Sequence, residues 1–246
     1  REHFQGFWPP EMGFSMEMIP MLARNGFRYV LVDSWYIKPK RSMRWEEQRY
    51  RPYLARYGNA EIIVIPRDRE LSDAQESGLD PGWFQHEIHE RTKWCDFPAL
   101  VTTWTDGENG GWFRTTNIEA GFWGFFYHQI LNRYRAGTLG FTPIHIPEFL
   151  NRFPPTEAVE VHRGAWNTGS HWGGDFMQWT GSLLQRRGFE ELQRAHRMLR
   201  AGQRIVDLGA WPGGWMQVAA GIVGSGGRVV GIDVAEIEPF PELANV

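Results

Sequence analysis

Cysteine is nearly absent from this sequence: Cys95 is the single one in 246 residues. One thiol closes no intrachain disulfide, which agrees with a reducing, cytoplasmic setting. Long apolar runs are lacking too. None approaches the roughly 18 residues of a membrane-spanning helix, so no membrane partner is expected. Nor is there an excess of positive charge: 26 lysines and arginines face 29 aspartates and glutamates, a formal net charge of −3. That excludes a global basic field for recruiting nucleic acid. No two histidines stand in a His-x-x-x-His spacing. His86 and His89, beside Glu87 and Glu90, read as a solvated polar helix face, and His145, His162 and His171 lack tight ligand spacing. No metal is therefore expected. The first residues, Arg1-Glu2-His3-Phe4-Gln5, are neither an initiator methionine nor a signal peptide, and the chain reads as cut at its start.

Aromatics, by contrast, are abundant. Thirteen tryptophans and an aromatic content of 15% suit a protein that packs flat sugar rings or a large aromatic core. The stretch from Thr102 to Trp112 concentrates this character. An apolar run, Pro98 to Val101, reads as a buried strand and leads to Trp104, then to Asp106 and Glu108 two residues apart, then to glycines and Trp112. Asp-Gly is also ordinary turn chemistry. Similar patterns occur upstream. Gly6 to Glu11 is a strand end entering a Pro-rich turn. Ser15 reads as the N-cap of a helix through Ala23, stopped by Asn25-Gly26. Tyr29 to Asp33 and Ile62 to Asp68 are apolar runs ending in acids. Strands alternating with helical segments predict a parallel sheet or barrel, whose active site lies at the carboxyl ends of the strands. Glu11, Asp33, Asp68 and Asp106 all fall at such predicted ends and point to one polar pocket.

Gly121 to Tyr134 reads as helical, and Arg163 to Asp175, rich in Trp, Gly and His, as a loop over the pocket. Phe189 to Leu199 reads as an amphipathic helix. From Gly202 the texture changes. A strand (Arg204 to Asp207), a Gly-rich turn, a helix near Met216 to Val223 and a strand (Val229 to Asp233) make a second βαβ unit.

Gly6-Phe7-Trp8-Pro9-Pro10-Glu11, followed by Gly13-Phe14-Ser15, resembles the nucleophile motif of glycoside hydrolase family 57. Thr105-Asp106-Gly107-Glu108-Asn109-Gly110-Gly111 resembles its acid/base motif. Arg67-Asp68-Arg69-Glu70-Leu71-Ser72 is similar to a segment between the two. The resemblance spans roughly Gly6 to Ser182. It implies a retaining enzyme of α-glucans on a seven-stranded β/α barrel, with Glu11 as nucleophile and Asp106 as general acid/base, needing no cofactor. Retention requires the two carboxyls roughly 5 Å apart. Glu108 would raise the Asp106 pKa by like-charge repulsion. Trp8, Asp33, Trp35, Arg67, Asp68, Trp104, Glu108, Trp112 and Trp172 are the expected substrate-binding residues, and an oligo- or polysaccharide the expected partner. The chain starts after the family's early His-containing motif, so a partial barrel is expected.

The turn Asp207-Leu208-Gly209-Ala210-Trp211-Pro212-Gly213-Gly214-Trp215 joins a strand to a helix, whose N-terminus favours electronegative groups. It resembles the S-adenosylmethionine loop of FtsJ-type ribosomal RNA ribose 2′-O-methyltransferases. The resemblance assigns Asp207, Gly209, Pro212, Gly213, Gly214 and Trp215 to the cofactor, with Asp233 at the ribose hydroxyls. Of that family's Lys-Asp-Lys-Glu set, Gly188 stands near the first lysine's place and the rest would fall beyond Val246. RNA would be a partner only of a complete methyltransferase part. The expectation is thus an α/β chain in two parts: a partial β/α barrel over 1–187, and the first βαβ unit of a Rossmann-like methyltransferase over 188–246.

Overall fold

A computed structural model describes residues 4–76, 80–106, 121–165, 176 and 180–246. The chain divides into two compact units, Arg1–Gln178 and Trp179–Val246.

The first unit runs β1 (Gly6–Phe7), α1 (Ile19–Arg24), β2 (Tyr29–Asp33), β3 (Ile37–Lys38), α2 (Trp45–Tyr50), β4 (Tyr53–Tyr57), β5 (Ala60–Arg67), α3 (Arg69–Glu76), α4 (Pro81–Thr92), α5 (His128–Arg135), α6 (Ile146–Arg152) and β6 (Glu160–Val161). A π-helical turn, Phe122–Tyr127, leads into α5. Ser15 is extended at the head of a 3-10 turn, Met16–Met18, and makes no side-chain cap. α1 starts at Ile19, with Pro20 in its first turn, only after that 3-10 turn, so the helix expected from Ser15 is shorter and begins later.

Four strands form one sheet in the order β1-β2-β5-β4. β1, β2 and β5 are parallel, so their carboxyl ends lie on one edge. β2 and β5 are apolar at nearly every position because both faces are covered. Val30, Val32, Ile62 and Val64 pack with Ile19 and Leu22 of α1. Leu31 and Ile65 pack with Leu100, Phe149 and Leu150. At about 1.5–3 kcal/mol per fully buried side chain, this two-sided core carries the sheet; β1 contributes only two residues. Leu71, Phe84, Ile88, Phe126 and Ile130 form a third cluster.

Two expectations need correction. First, the sheet is not wholly parallel. Tyr53–Tyr57 returns antiparallel to β5, through a Gly58-Asn59 turn in which Gly58 has φ +58°, a conformation glycine adopts without cost. The four-stranded sheet is open among the described residues, with β1 and β4 at its edges, and no closed barrel forms, which the expectation of a partial barrel already allowed. Second, Pro98 to Asp106 forms no strand. β4 pairs with β5 only as far as Tyr53 opposite Val64, and the Pro98–Asp106 segment takes up the vacated edge beyond. There Pro66 offers an acceptor and no donor, so no ladder forms. Asp68 N–H donates to the Thr102 carbonyl at 2.9 Å and the Thr102 hydroxyl to the Pro66 carbonyl.

In the second unit α7 (Leu183–Met198) precedes β7 (Arg204–Leu208), α8 (Gly214–Val223) and β8 (Arg228–Ile232). α7 begins at Leu183, ahead of Phe189, because Ser182 and Gln185 cap it reciprocally. β7 and β8 are parallel with α8 between them, a βαβ unit. Val229 packs on Met216, Ala219, Ala220 and Val223 of α8. Val206, Leu208, Val230 and Ile232 on the other face are exposed. Among the described residues no helix is long and apolar enough to cross a membrane.

Candidate active site

The carboxyl edge of the parallel strands holds most of the expected residues. β1 ends at Phe7, and Pro9-Pro10 turns the chain into a 3-10 turn, Pro10–Met12. Glu11 occupies the left-handed region, φ 56° and ψ 24°, and Met12 follows with φ 53°. Such conformations cost L-residues roughly 1–2 kcal/mol each. They persist where the surroundings over-determine them. Here the Met12 side chain is buried and its sulfur accepts the Trp8 indole N–H at 2.8 Å. Glu11 is left exposed.

The Trp8 ring also meets Trp104, with centroids 5.4 Å apart and planes inclined by 58°. Trp8 lies three positions before Glu11 and Trp104 two before Asp106. The contact therefore brings the two carboxylate-bearing segments together. Asp106 is half-buried. Glu108, Trp112 and Trp172 lie outside the described residues.

Arg67 and Asp33 face each other in the β2–β5 register. Their side chains, 3% and 8% exposed, approach to 3.6 Å between Nη1 and Oδ2. Burial raises the Asp33 carboxyl above its ordinary range, against the Trp35 amide and the Arg67 charge, which lower it. Burial likewise lowers Arg67, against the charges of Asp33 and Asp73. An arginine starts so far above neutrality that it stays charged. Arg67 Nε donates to the Trp104 carbonyl at 2.8 Å and Nη2 to Asp73 at 3.2 Å. Trp35 is exposed beside Asp33, its amide donating to the Asp33 carboxylate at 3.0 Å. The Arg69 guanidinium stands 5.9 Å from the Trp35 ring centroid, on an exposed aromatic face.

Asp68 differs from the expectation. It is 1% exposed and is spent on structure. It accepts the Tyr50 hydroxyl at 2.5 Å and the Leu71 amide at 2.9 Å, and pairs with Arg91 at 3.4 Å. Burial and the Asp68 charge push Tyr50 far above the usual phenol range. Tyr50 and Arg91, absent from the sequence reading, hold Asp68 from two other helices; the only local signal is Leu71, three residues on, as in an N-cap.

A cavity of about 760 Å³ lies alongside, lined by Phe84, Phe122, Phe126, Phe141, Phe149 and Thr102 to Trp104, among others. Neither Glu11 nor Asp106 lines it. Among the described residues no group of three or more His, Cys, Asp or Glu could hold a metal ion.

In the second unit, Asp207 lies on β7 beside its carboxyl end, and its Oδ2 is buried without a hydrogen-bond partner. Gly209 follows with φ +77°, and a Cβ there or at Gly214 would meet open space. Pro212 and Trp215 flank the glycines, the latter 40% exposed. Gly213 is a glycine for another reason. Its φ is +102°, and a Cβ would lie 2.2 Å from the Phe240 ring. The Asp233 carboxylate is already engaged, accepting the amides of Trp211 and Ala235 at 2.9 Å each.

Residues 2–162 match the family model of glycosyl hydrolase family 57, more than half of the chain, and the chain belongs to that family. Residues 187–246 match the FtsJ-like methyltransferase model. Among solved structures, an exo-type maltose-forming amylase from a Pyrococcus species is similar with a TM-score of 0.58 at 16% identity, covering 78% of this chain and 38% of that one. The 4-alpha-glucanotransferase of Thermococcus litoralis gives a TM-score of 0.49 at 20% identity, over 77% of this chain and 28% of that one. The first of these likenesses is one of fold. Among curated proteins, the ribosomal RNA large subunit methyltransferase E of Methanobrevibacter smithii is 47% identical over 53 residues, 22% of this chain and 25% of that protein. That of Xanthobacter autotrophicus is 53% identical over 57 residues, 22% of each. The chain thus spans about a quarter of the length of these curated relatives.

Proposed function

We propose that the first unit is a retaining glycosidase or transglycosylase acting on an α-glucan. Glu11 attacks the anomeric carbon, and Asp106 gives its proton to the departing glycosidic oxygen and later recovers one from the acceptor. The observation that carries this reading is the Trp8–Trp104 contact, which joins the segments bearing both carboxylates on the edge where a parallel sheet builds its sites. Family membership and the maltose-forming amylase fold support an α-glucan as substrate. Exposed Trp35 supplies a flat face for a sugar ring. Reducing-sugar release from maltooligosaccharides tests it. Glu11→Gln and Asp106→Asn should each lose at least about 10²-fold in rate; equal release by wild type and both variants would sink the reading.

A second reading concerns the other unit. The orphaned Asp207 carboxylate oxygen and the open space at Gly209 and Gly214 fit S-adenosylmethionine, which would supply an electrophilic methyl group. We infer binding only; RNA methylation by this chain is not part of the reading. Calorimetry with S-adenosylmethionine decides it, and an absence of heat at millimolar ligand ends it.

A further inference from the structure

Between β5 and Asp106 the chain is tied down at successive residues. Asp68 N–H donates to the Thr102 carbonyl, and the Thr102 hydroxyl donates to the Pro66 carbonyl. The Thr103 hydroxyl donates to the Gln75 side-chain carbonyl. Trp104 N–H donates to the Ser72 hydroxyl at 3.0 Å, which itself donates to the Asp68 carbonyl at 2.5 Å. Close to Asp106, Arg67 Nε donates to the Trp104 carbonyl at 2.8 Å. Unlike the others it comes from a buried charge held on its far side by Asp33 and on its flank by Asp73. A charged donor in a dry setting is stronger and more directional than a hydroxyl, and only a forked guanidinium reaches three acceptors at fixed angles.

From this geometry we propose that Arg67 is the positioning residue of the general acid: it clamps the Trp104 carbonyl and so sets where Asp106 meets the glycosidic oxygen. The proposal rests on the glycosidase reading above. Arg67 transfers no proton. Asp33 acts one step further back by fixing the guanidinium, which gives its burial at a strand end a purpose other than touching sugar. A full ladder cannot form beside Pro66, so side chains help to hold this segment, and Arg67 is a charged one among them.

The test compares leaving groups. Breaking the bond of a natural glucan requires a proton at the leaving oxygen; breaking that of an α-maltosyl fluoride does not. Arg67→Lys keeps a positive charge for Asp33 and loses the fork, so it is the informative variant. Arg67→Ala strands a buried carboxylate and is expected to fold poorly. For Arg67→Lys, kcat/KM on maltooligosaccharides should fall about 10²-fold, the scale of a misplaced catalytic group, while kcat/KM on the fluoride falls far less. Hydrogen exchange gives an independent readout, with the amides of Trp104 to Asp106 exchanging at least about tenfold faster in Arg67→Lys. An equal fall on both substrates, or unchanged exchange, overturns the positioning role while leaving the glycosidase reading intact. A wild-type chain that cleaves neither substrate overturns that reading, and this proposal with it.

Discussion

Trp8 and Trp104 meet with ring centroids 5.4 Å apart, across the carboxyl edge of a sheet in which their own segments are not neighbours. Trp8 is fixed from below by Met12 and Trp104 by Arg67, so the contact joins two independently anchored segments. Tilted aromatic pairs couple by about 0.5–1.5 kcal/mol beyond their burial. A double-mutant cycle of Trp8→Leu and Trp104→Leu, read by urea unfolding, should return a coupling of that size. Additivity within about 0.3 kcal/mol would mean that the rings only happen to lie close.

Asp68 gives a prediction that separates structure from substrate contact. Its carboxylate caps the first turn of α3 and receives Tyr50 and Arg91. Asp68→Asn weakens the cap on Leu71 and the bonds from Tyr50 and Arg91, while Arg91 keeps Glu70 at 2.8 Å and Glu87 at 3.1 Å, so the loss should be about 1–2 kcal/mol. The first unit should melt earlier, while KM for a glucan in the surviving folded fraction stays unchanged. A raised KM at unchanged stability would return Asp68 to the sugar site.

These two cases show what could be read from the residues alone. Tyr29 to Asp33 was legible because apolar side chains cover both faces of a buried parallel strand, and the chain turns polar where the sheet ends. Its partner was legible for the same reason. Pro98 to Val101 carries the same local pattern and is not a strand. What prevents it is the antiparallel return of Tyr53–Tyr57 and the donor missing at Pro66, and neither is visible within the segment. Asp68 looked like Asp33, yet residues 18 and 23 positions away decide its role. The Gly58-Asn59 turn was an available hairpin signal, and the left-handed Glu11 left no local trace at all.

Glu47 supplies a pH prediction for the fold. The Arg41 side chain first, then the Arg44 amide, lower its carboxyl from 4.5 to about 2. Arg41 reaches it at 2.7 Å and the amide at 3.0 Å. A carboxyl depressed in the folded state contributes stability that is complete above its unfolded value and is lost as pH falls through the folded one. Unfolding free energy should therefore decline between about pH 4.5 and pH 2 through this residue. Glu47→Gln should be less stable at pH 7, show a flatter decline across that window, and converge with wild type near pH 2. Parallel curves for the two proteins would remove Glu47 from the acid response.

Glu11 links the strained backbone to the chemistry. At φ 56° and ψ 24°, a residue with a Cβ carries a cost that glycine escapes. Both Glu11→Ala and Glu11→Gly remove the proposed nucleophile, so neither should cleave a glucan. They differ only in whether a Cβ must sit in the left-handed region. Glu11→Gly should therefore be the more stable of the two by about 1 kcal/mol, despite the larger entropy that glycine loses on folding. Thermal or urea unfolding of the pair measures this directly. An alanine variant as stable as the glycine one would show that the turn relaxes at no cost. In that case the strain is no part of how the carboxylate is presented. The predicted difference would instead mean that the fold bears a standing cost at the position where the reaction needs its nucleophilic carboxylate held clear of the sheet.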